Sequence, residues 1–381
     1  MRYRTFLALF LPAALAIVPA TAAVAQEEGP PALSGGSGGL GASFERYGFG
    51  DAHQTGLQSI SLFTVPFSGH TRLFGAAGLD VNGALASGRL TRLDGSSATL
   101  SGLTDTQLAL TIPVKADLAT LTAVAILPTG KSSMTPDEAV VAGVVASELL
   151  PFRITNWGAG GAAGLSAAMA HSLGSVGVGA SAAYVVGREY DLVQPAAFAY
   201  RPGNQLRARV ALDYSSGPAG KASLQLTYLH SADDRLSGSN IFRAGDRVQA
   251  MGSYAFAAGR RATGIAYAGV LHRAQGAYLV DLGTPPAALN LFLAGGGFRV
   301  PVGAGVLMPS ADLRLLRRAD GVDQGMIAGI GGSAELPLRS GLTLLPSVRA
   351  RLGRAEVSPG SSSGFTGVDL ALGVRFGVGL P

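Results

Sequence analysis

From Thr366 to Leu380 a large apolar side chain occupies every second position: Val368, Leu370, Leu372, Val374, Phe376, Val378 and Leu380. Gly367, Asp369, Ala371, Gly373, Arg375, Gly377 and Gly379 stand between them. Successive strand side chains point to opposite faces, so the segment has one wholly apolar face and one small or charged face. Soluble sandwich strands alternate in the same way, typically over about five or six residues. Here the pattern lasts more than twice as long, enough for a tilted strand to cross a bilayer. The apolar face then meets lipid, and the polar face lines a lumen.

Composition points the same way. Hydrophobic residues make up 48 % of the 381 and charged residues only 14 %, against about a quarter in soluble domains. Beyond the N-terminus no window of eighteen residues is continuously apolar, so no spanning helix is expected. A chain this apolar has to carry its hydrophobicity as alternation, and a closed barrel is the other structure that can span lipid.

Arg2 and Arg4, the apolar run Phe6 to Val18 and the small-x-small site Ala23-Val24-Ala25 predict a cleaved signal peptide over residues 1–25. Cleavage takes two arginines and no acids from a formal charge of +5, leaving +3. That balance gives no support for nucleic-acid binding. The chain has no cysteine, which excludes a disulfide scaffold and a lipid-modified cysteine. Residues 26–56 read as a flexible leader or an N-terminal hatch, because Gly35-Gly36-Ser37-Gly38-Gly39 resembles a linker. Residues 57–381 read as the barrel.

Alternation recurs through that stretch. Leu108, Leu110, Ile112 and Val114 oppose Gln107, Ala109 and Thr111. Leu206, Val210 and Leu212 oppose Arg207, Arg209 and Asp213, while Leu224 and Leu226 oppose Ser223 and Gln225. Short links alternate with long ones, the arrangement of outer-membrane barrels. The expected fold is all-β: a transmembrane antiparallel up-and-down barrel of about fourteen strands, within roughly twelve to sixteen. Tyr184, Tyr214, Tyr228, Tyr254 and Phe256 suit an interfacial aromatic girdle. In the first long loop, Thr135-Pro136-Asp137-Glu138 supplies an N-cap, a first-turn proline and a capping glutamate. A helix of about three turns over Ala139 to Leu150 is predicted, placed to narrow the barrel mouth or to decorate its surface.

Enzymatic and metal chemistry lack a foothold in the sequence. Gly130-Lys131-Ser132 is not a phosphate loop, since Ala125 stands where that motif needs glycine. His53, His70, His171, His230 and His272 are isolated, and none precedes a serine by two positions, as barrel lipases require. No cofactor and no metal are expected. The candidate lumen-lining residues are Arg207, Arg209, Asp213, Arg247, Arg349, Arg351, Asp369 and Arg375. Such a wall either favours anions or staples neighbouring strands through ion pairs.

Ser101-Gly102-Leu103-Thr104-Asp105-Thr106-Gln107-Leu108, then Leu127-Pro128-Thr129-Gly130-Lys131, resembles the outer-membrane barrels of fatty-acid and aromatic-hydrocarbon uptake. Those chains carry Gly-Leu-Gly-Asp-x-x-Leu and a later Pro-Thr-Gly; here Thr104 replaces the middle glycine. The resemblance implies about fourteen strands, an N-terminal hatch and passage of small hydrophobic molecules. The combined expectation is an outer-membrane channel or transporter for small molecules. The alternative is a plugged structural or partner-binding barrel acting through its long loops. Expected partners are outer-membrane lipid, a small-molecule permeant and the barrel-assembly machinery, with no nucleic acid.

The alternation generates a direct test. Leu226→Arg places a charge on the lipid face and should cost about 2–4 kcal/mol near the midplane, whereas Gln225→Arg, one position away, should cost far less. Refolding stability in lipid vesicles measures both, and equal losses would disprove the assigned register.

Overall fold

The computed structural model describes residues 35–73, 76–115, 118–192, 198–217, 220–259, 261–281, 285–339, 341–358 and 361–379. The expected signal peptide and the first part of the leader lie outside them. The chain opens with β1 (Gly35–Phe49), β2 (Leu57–Arg72), β3 (Gly78–Arg92), β4 (Ser97–Leu103), β5 (Thr106–Lys115) and β6 (Ala119–Leu127). After a long loop come β7 (Ala162–Leu173), β8 (Val176–Gly187), β9 (Tyr190–Asp191), β10 (Ala199–Arg201), β11 (Gln205–Ser215) and β12 (Gly220–Ser231). Then follow β13 (Asp233–Leu236), β14 (Ser239–Arg243), β15 (Arg247–Ala258), β16 (Ala262–Arg273) and β17 (Ala277–Tyr278). The last are β18 (Leu289–Val302), β19 (Gly305–Arg318), β20 (Asp323–Arg339), β21 (Leu342–Ser358) and β22 (Ser361–Gly379).

Among the described residues, seventeen strands form one antiparallel sheet, and β1 pairs with both β2 and β22, which closes it into a barrel. Sixteen strands make the wall. The seventeenth, β4, pairs with Leu85 to Thr91 of β3, and β5 pairs with Gly78 to Asn82 on the same edge. The register moves by one residue between them, so β4 continues β5 beyond a bulge at Thr104-Asp105.

The wall therefore has sixteen strands rather than about fourteen. One strand was hidden in the expected leader: Gly35–Phe49 is β1, laddered to β2 and β22 along its length, and no hatch is formed from it. At least one of its linker-like glycines has a steric reason. A Cβ on Gly38 would collide with the ring of Phe376 on β22. The same device recurs inside the wall, with Phe67 over Gly83, Phe256 over Gly264, Phe365 over Gly353 and Tyr47 over Gly367. An aromatic ring lying across a neighbouring glycine restores the packing that the glycine lacks.

Alternation has the expected sense. Large apolar side chains stand exposed on the outer face, among them Leu165 (70 %), Ile330 (70 %), Leu352 (66 %) and Leu372 (50 %). Their inner neighbours on β1 and β2 (Ser43, Glu45, Tyr47, Ile60 and Leu62) are buried. Tyr184, Tyr214, Tyr228 and Tyr254 are exposed on the outer face, and Tyr254 stacks on Phe256 at 5.8 Å. No helix among the described residues is long and apolar enough to cross a membrane. The connections from β19 to β20 and from β21 to β22 are short, because β20, β21 and β22 extend 17, 17 and 19 residues.

On the long-loop side, the short strands that follow β8, β12 and β16 are sewn into a second sheet in the order β17-β14-β13-β10-β9. Tyr200, Ile241 and Phe242 form its small apolar core. Inside it Asp234 accepts hydrogen bonds from the Tyr200 hydroxyl (2.8 Å) and the Gly203 amide (2.7 Å). Burial nonetheless dominates and pushes its pKa up to about 6. A carboxyl raised on folding binds its proton more tightly in the folded sheet. The sheet therefore gains stability as pH falls through about 6 and loses it as pH rises back. Proteolytic resistance of these loops, corrected for protease activity, should increase between about pH 7.5 and about pH 5, and Asp234→Asn should remove that dependence.

Candidate functional site

Residues 128–161 leave the wall after β6 and fold back into the barrel as a plug. Thr135 caps the helix Pro136–Val145: its hydroxyl accepts the Glu138 amide while Glu138 accepts the Thr135 amide (3.0 Å). Lys131 donates to the other Glu138 oxygen. Partial burial pushes the Glu138 pKa up, but the Lys131 ammonium and the Thr135 amide outweigh it and hold the carboxyl below its usual range. The helix is shorter than the expected Ala139–Leu150. Ser147 accepts the Leu149 amide (3.3 Å), and Pro151 disfavours helical geometry in the residue before it.

Two features anchor the plug. Asp105, at the bulge between β4 and β5, accepts the Gly130 amide (3.0 Å) and the Ala159 amide (2.7 Å), while its own amide donates to the Trp157 carbonyl (3.0 Å). This staples both ends of the loop to one point of the wall. Gly130 is required there, because a Cβ would collide with the Trp157 carbonyl. The second feature is apolar. Val141, Val145 and Trp157 are fully buried against Ile60, Leu90 and Leu100 of the inner wall. Gly88 opens the seat, since a Cβ there would lie 3.0 Å from both Trp157 and Val141. The indole N–H donates to the Ala86 carbonyl (3.2 Å).

From this seat the loop crosses to the far wall. Glu148 accepts from Arg273 (2.8 Å) and lies 3.8 Å from Arg247. Arg153 donates its amide to Glu45 (3.0 Å) and its guanidinium approaches Asp369 (3.4 Å). Phe152 meets the Tyr47 ring edge-on at 5.1 Å. The plug thus fills the side of the lumen bounded by β1–β4, β16 and β18–β22. The remaining arc is different: among the described residues, β5, β6, β7, β8, β11 and β15 carry no buried residue and β12 only Leu229. Its inner positions include Gln107, Thr122, Ser166, Gly179, Ser181 and Gln225, which are small or polar. On this arc the plug does not bury the inner face.

The eight candidate lining residues all take inner positions, and the structure sorts them. Arg349 and Arg351 converge on Asp312, and Arg351 also faces Asp369 at 3.8 Å. Arg375 and Arg299 share Glu335, at 3.9 and 2.8 Å. Asp213 is held by Ser223 (2.5 Å) and Lys221 (3.6 Å). Arg247 is answered by Glu148 of the plug. Arg207 and Arg209 have no carboxylate partner among the described residues, and the buried Nε of Arg209 makes no hydrogen bond. Sequence reasoning missed Glu45, Glu148, Arg153, Asp312 and Glu335. Glu45 lay in the supposed leader, and Glu148 and Arg153 lay in a loop whose path the sequence does not encode. Asp312 and Glu335 sit in alternating stretches that a full parity count would have reached.

The histidines occupy separate places. His70 pairs with Asp80 inside the barrel and His230 with Asp246 on the outer face, each at 2.8 Å, and His272 contacts Asn290. Among the described residues no three His, Cys, Asp or Glu side chains group as a metal site.

No protein-family model and no curated protein matches the chain. Among solved structures, the porin of Rhodopseudomonas blastica is similar, in a triple-mutant form: 15 % identity, TM-score 0.40, 90 % of this chain and 100 % of the porin covered. A bacterial polysaccharide outer membrane secretin is another, at 9 % identity and TM-score 0.46, covering 89 % and 98 %.

The ion-pair network gives a prediction about the wall. Arg351 and Asp312 are almost wholly buried, and breaking a buried pair costs up to about 3–5 kcal/mol, here eased because Arg349 stays on Asp312 and Arg153 on Asp369. Arg351→Gln should lower unfolding free energy in vesicles by about 3 kcal/mol, while the Gln variant at Arg354, whose side chain is exposed, should lose far less.

Proposed function

We propose that this chain is an outer-membrane channel through which small polar solutes pass beside a fixed internal plug. The observation that carries the reading is the asymmetry of the lumen. One side is packed by the plug, and the β5–β8 and β11–β15 arc keeps partly solvent-accessible side chains, most of them small or polar, with Val124, Ile126, Val185, Leu229 and Met251 among them. A barrel with a purely structural role would gain by packing both sides, since burial of apolar surface stabilises at about 25 cal/mol per Å2. The outer belt of exposed leucine, valine and isoleucine, with tyrosines at its margins, suits lipid contact. Residues 1–25, as a signal peptide, would direct export to that membrane.

The polar lining also bears on the permeant. Gln107, Thr122, Ser166, Ser181 and Gln225 offer hydrogen bonds and little apolar surface. Hydrophilic solutes suit such a wall better than the hydrophobic molecules implied by the resemblance to the uptake barrels.

Narrowing and widening the passage should move conductance in opposite directions. A Cβ on Gly179 meets neighbours only at ordinary contact distance, 3.6 Å or more, so the backbone there accepts a side chain, and Gly179→Trp adds bulk on the inner face. It should reduce single-channel conductance in planar bilayers by about twofold or more. Deleting residues 136–148 should raise conductance. Unchanged conductance in both variants, with normal amounts of folded barrel, would refute the reading.

A further inference from the structure

Within that passage, two arginines stand apart from the braced network. Arg207 and Arg209 lie two positions apart on β11, so both project inward from one strand. Their neighbours across the ladders are Ala183 and Leu229 for Arg207, and Ser181 and Thr227 for Arg209. None is acidic. The one carboxylate on the same strand, Asp213, is already held by Lys221 and Ser223. Arg247, which lies beyond Leu229 in the same ladder row, is answered by Glu148 of the plug. Every other arginine among the predicted lining residues meets a carboxylate.

Two like charges side by side without a counter-charge repel each other and gain nothing as a structural brace. Holding them half-buried, with one Nε buried and unpartnered, makes the pair costly unless something else answers it. The surrounding surface leaves space for that something. Gly179, Ser181 and Ala183 on β8 and Ser166 on β7 are small, and Thr227 and Gln225 add polar groups beside Arg209. Guanidinium forks match the planar or tetrahedral oxygens of carboxylate and phosphate, which a compact chloride does not offer.

We infer that Arg207 and Arg209 form an oxyanion-binding step in the passage, which takes small organic anions through a carboxylate or phosphate group. The inference rests on the channel reading above and deepens it by naming the permeant class. The pair lies on the arc that the plug leaves uncovered, whereas the lining arginines on the opposing side each stand beside a carboxylate, which several of them share. An entering anion therefore meets net positive charge where it has room, and a cation meets the same field as a barrier.

Three measurements on the full-length folded barrel test this. In planar bilayers with a low-salt potassium chloride gradient, the reversal potential should show an anion-to-cation permeability ratio of about three or more, falling towards one as salt rises. The R207Q/R209Q double variant should lose that preference and keep its folded yield. Equilibrium dialysis of the detergent-solubilised barrel against succinate, and separately against inorganic phosphate, should show saturable binding. The double Gln variant should lose it and Arg235→Gln, on the loop sheet, should keep it. R207K/R209K should retain chloride preference but bind both probes at least about tenfold more weakly, as point charges replace forks. Binding of one probe alone would support the site and assign its headgroup.

Preference and probe binding that survive in the double Gln variant would overturn the inference. So would a wild-type barrel that conducts without anion preference and binds neither probe; the channel reading would then stand alone. Probe binding in a barrel that does not conduct would instead overturn the channel reading and leave the site in place.

Discussion

The ladder between β1 and β22 joins the two ends of the sheet over fifteen residue pairs, from Gly35 opposite Gly379 to Phe49 opposite Phe365. Without it the sheet would have two long edges of unpaired amides and carbonyls, which neither lipid nor a dry interior can satisfy. With it, every wall strand has a neighbour on each side and side-chain parity is fixed around the circumference. Inside and outside become a property of odd and even positions. The glycines of these strands serve the same closure. Wherever a ring from the next strand lies across the wall, as Tyr47 does over Gly367, the glycine admits it without pushing the ladder apart.

Closure creates an interior, and the plug divides it. An apolar cluster around Trp157, Val141 and Leu100 occupies space that in a wide barrel would hold water. Charged groups complete the attachment where the plug runs out of apolar surface: Glu148 towards β15 and β16, Arg153 towards β1 and β22. The plug is thus held at its base by Asp105, in its middle by packing, and at its far side by ions. The arginines of β21 serve the wall, because Asp312 and Asp369 already hold them. Those of β11 have no such duty among the described residues.

Parity was the part of this structure most legible in the sequence. Leu108, Leu206, Leu226 and Leu372 face outward as their alternation requires, and all eight candidate lining residues face inward. Strand count was less legible, because Gly35 to Gly39 has linker composition and only the rings of neighbouring strands reveal its role. The capping residues at Thr135 announced a helix, and it forms. Where that helix goes depends on Gly88, Gly130 and Asp105, residues far apart in the chain that meet only after closure. For the same reason the sequence could not separate bracing arginines from unpaired ones. Pairing across β19 to β22 depends on register, which no single strand encodes.

The second sheet, sewn from the short strands that follow β8, β12 and β16, ties three loops into one object. Surface loops of barrels are ordinarily free to drift in length, one independently of another. Here an insertion in β13 or β14 would have to be matched by the strands that flank it, and the buried Asp234 would have to find Tyr200 again. The outward surface is therefore inherited as a unit. Anything that docks on that end of the barrel meets a composite face whose contributing segments lie far apart along the chain.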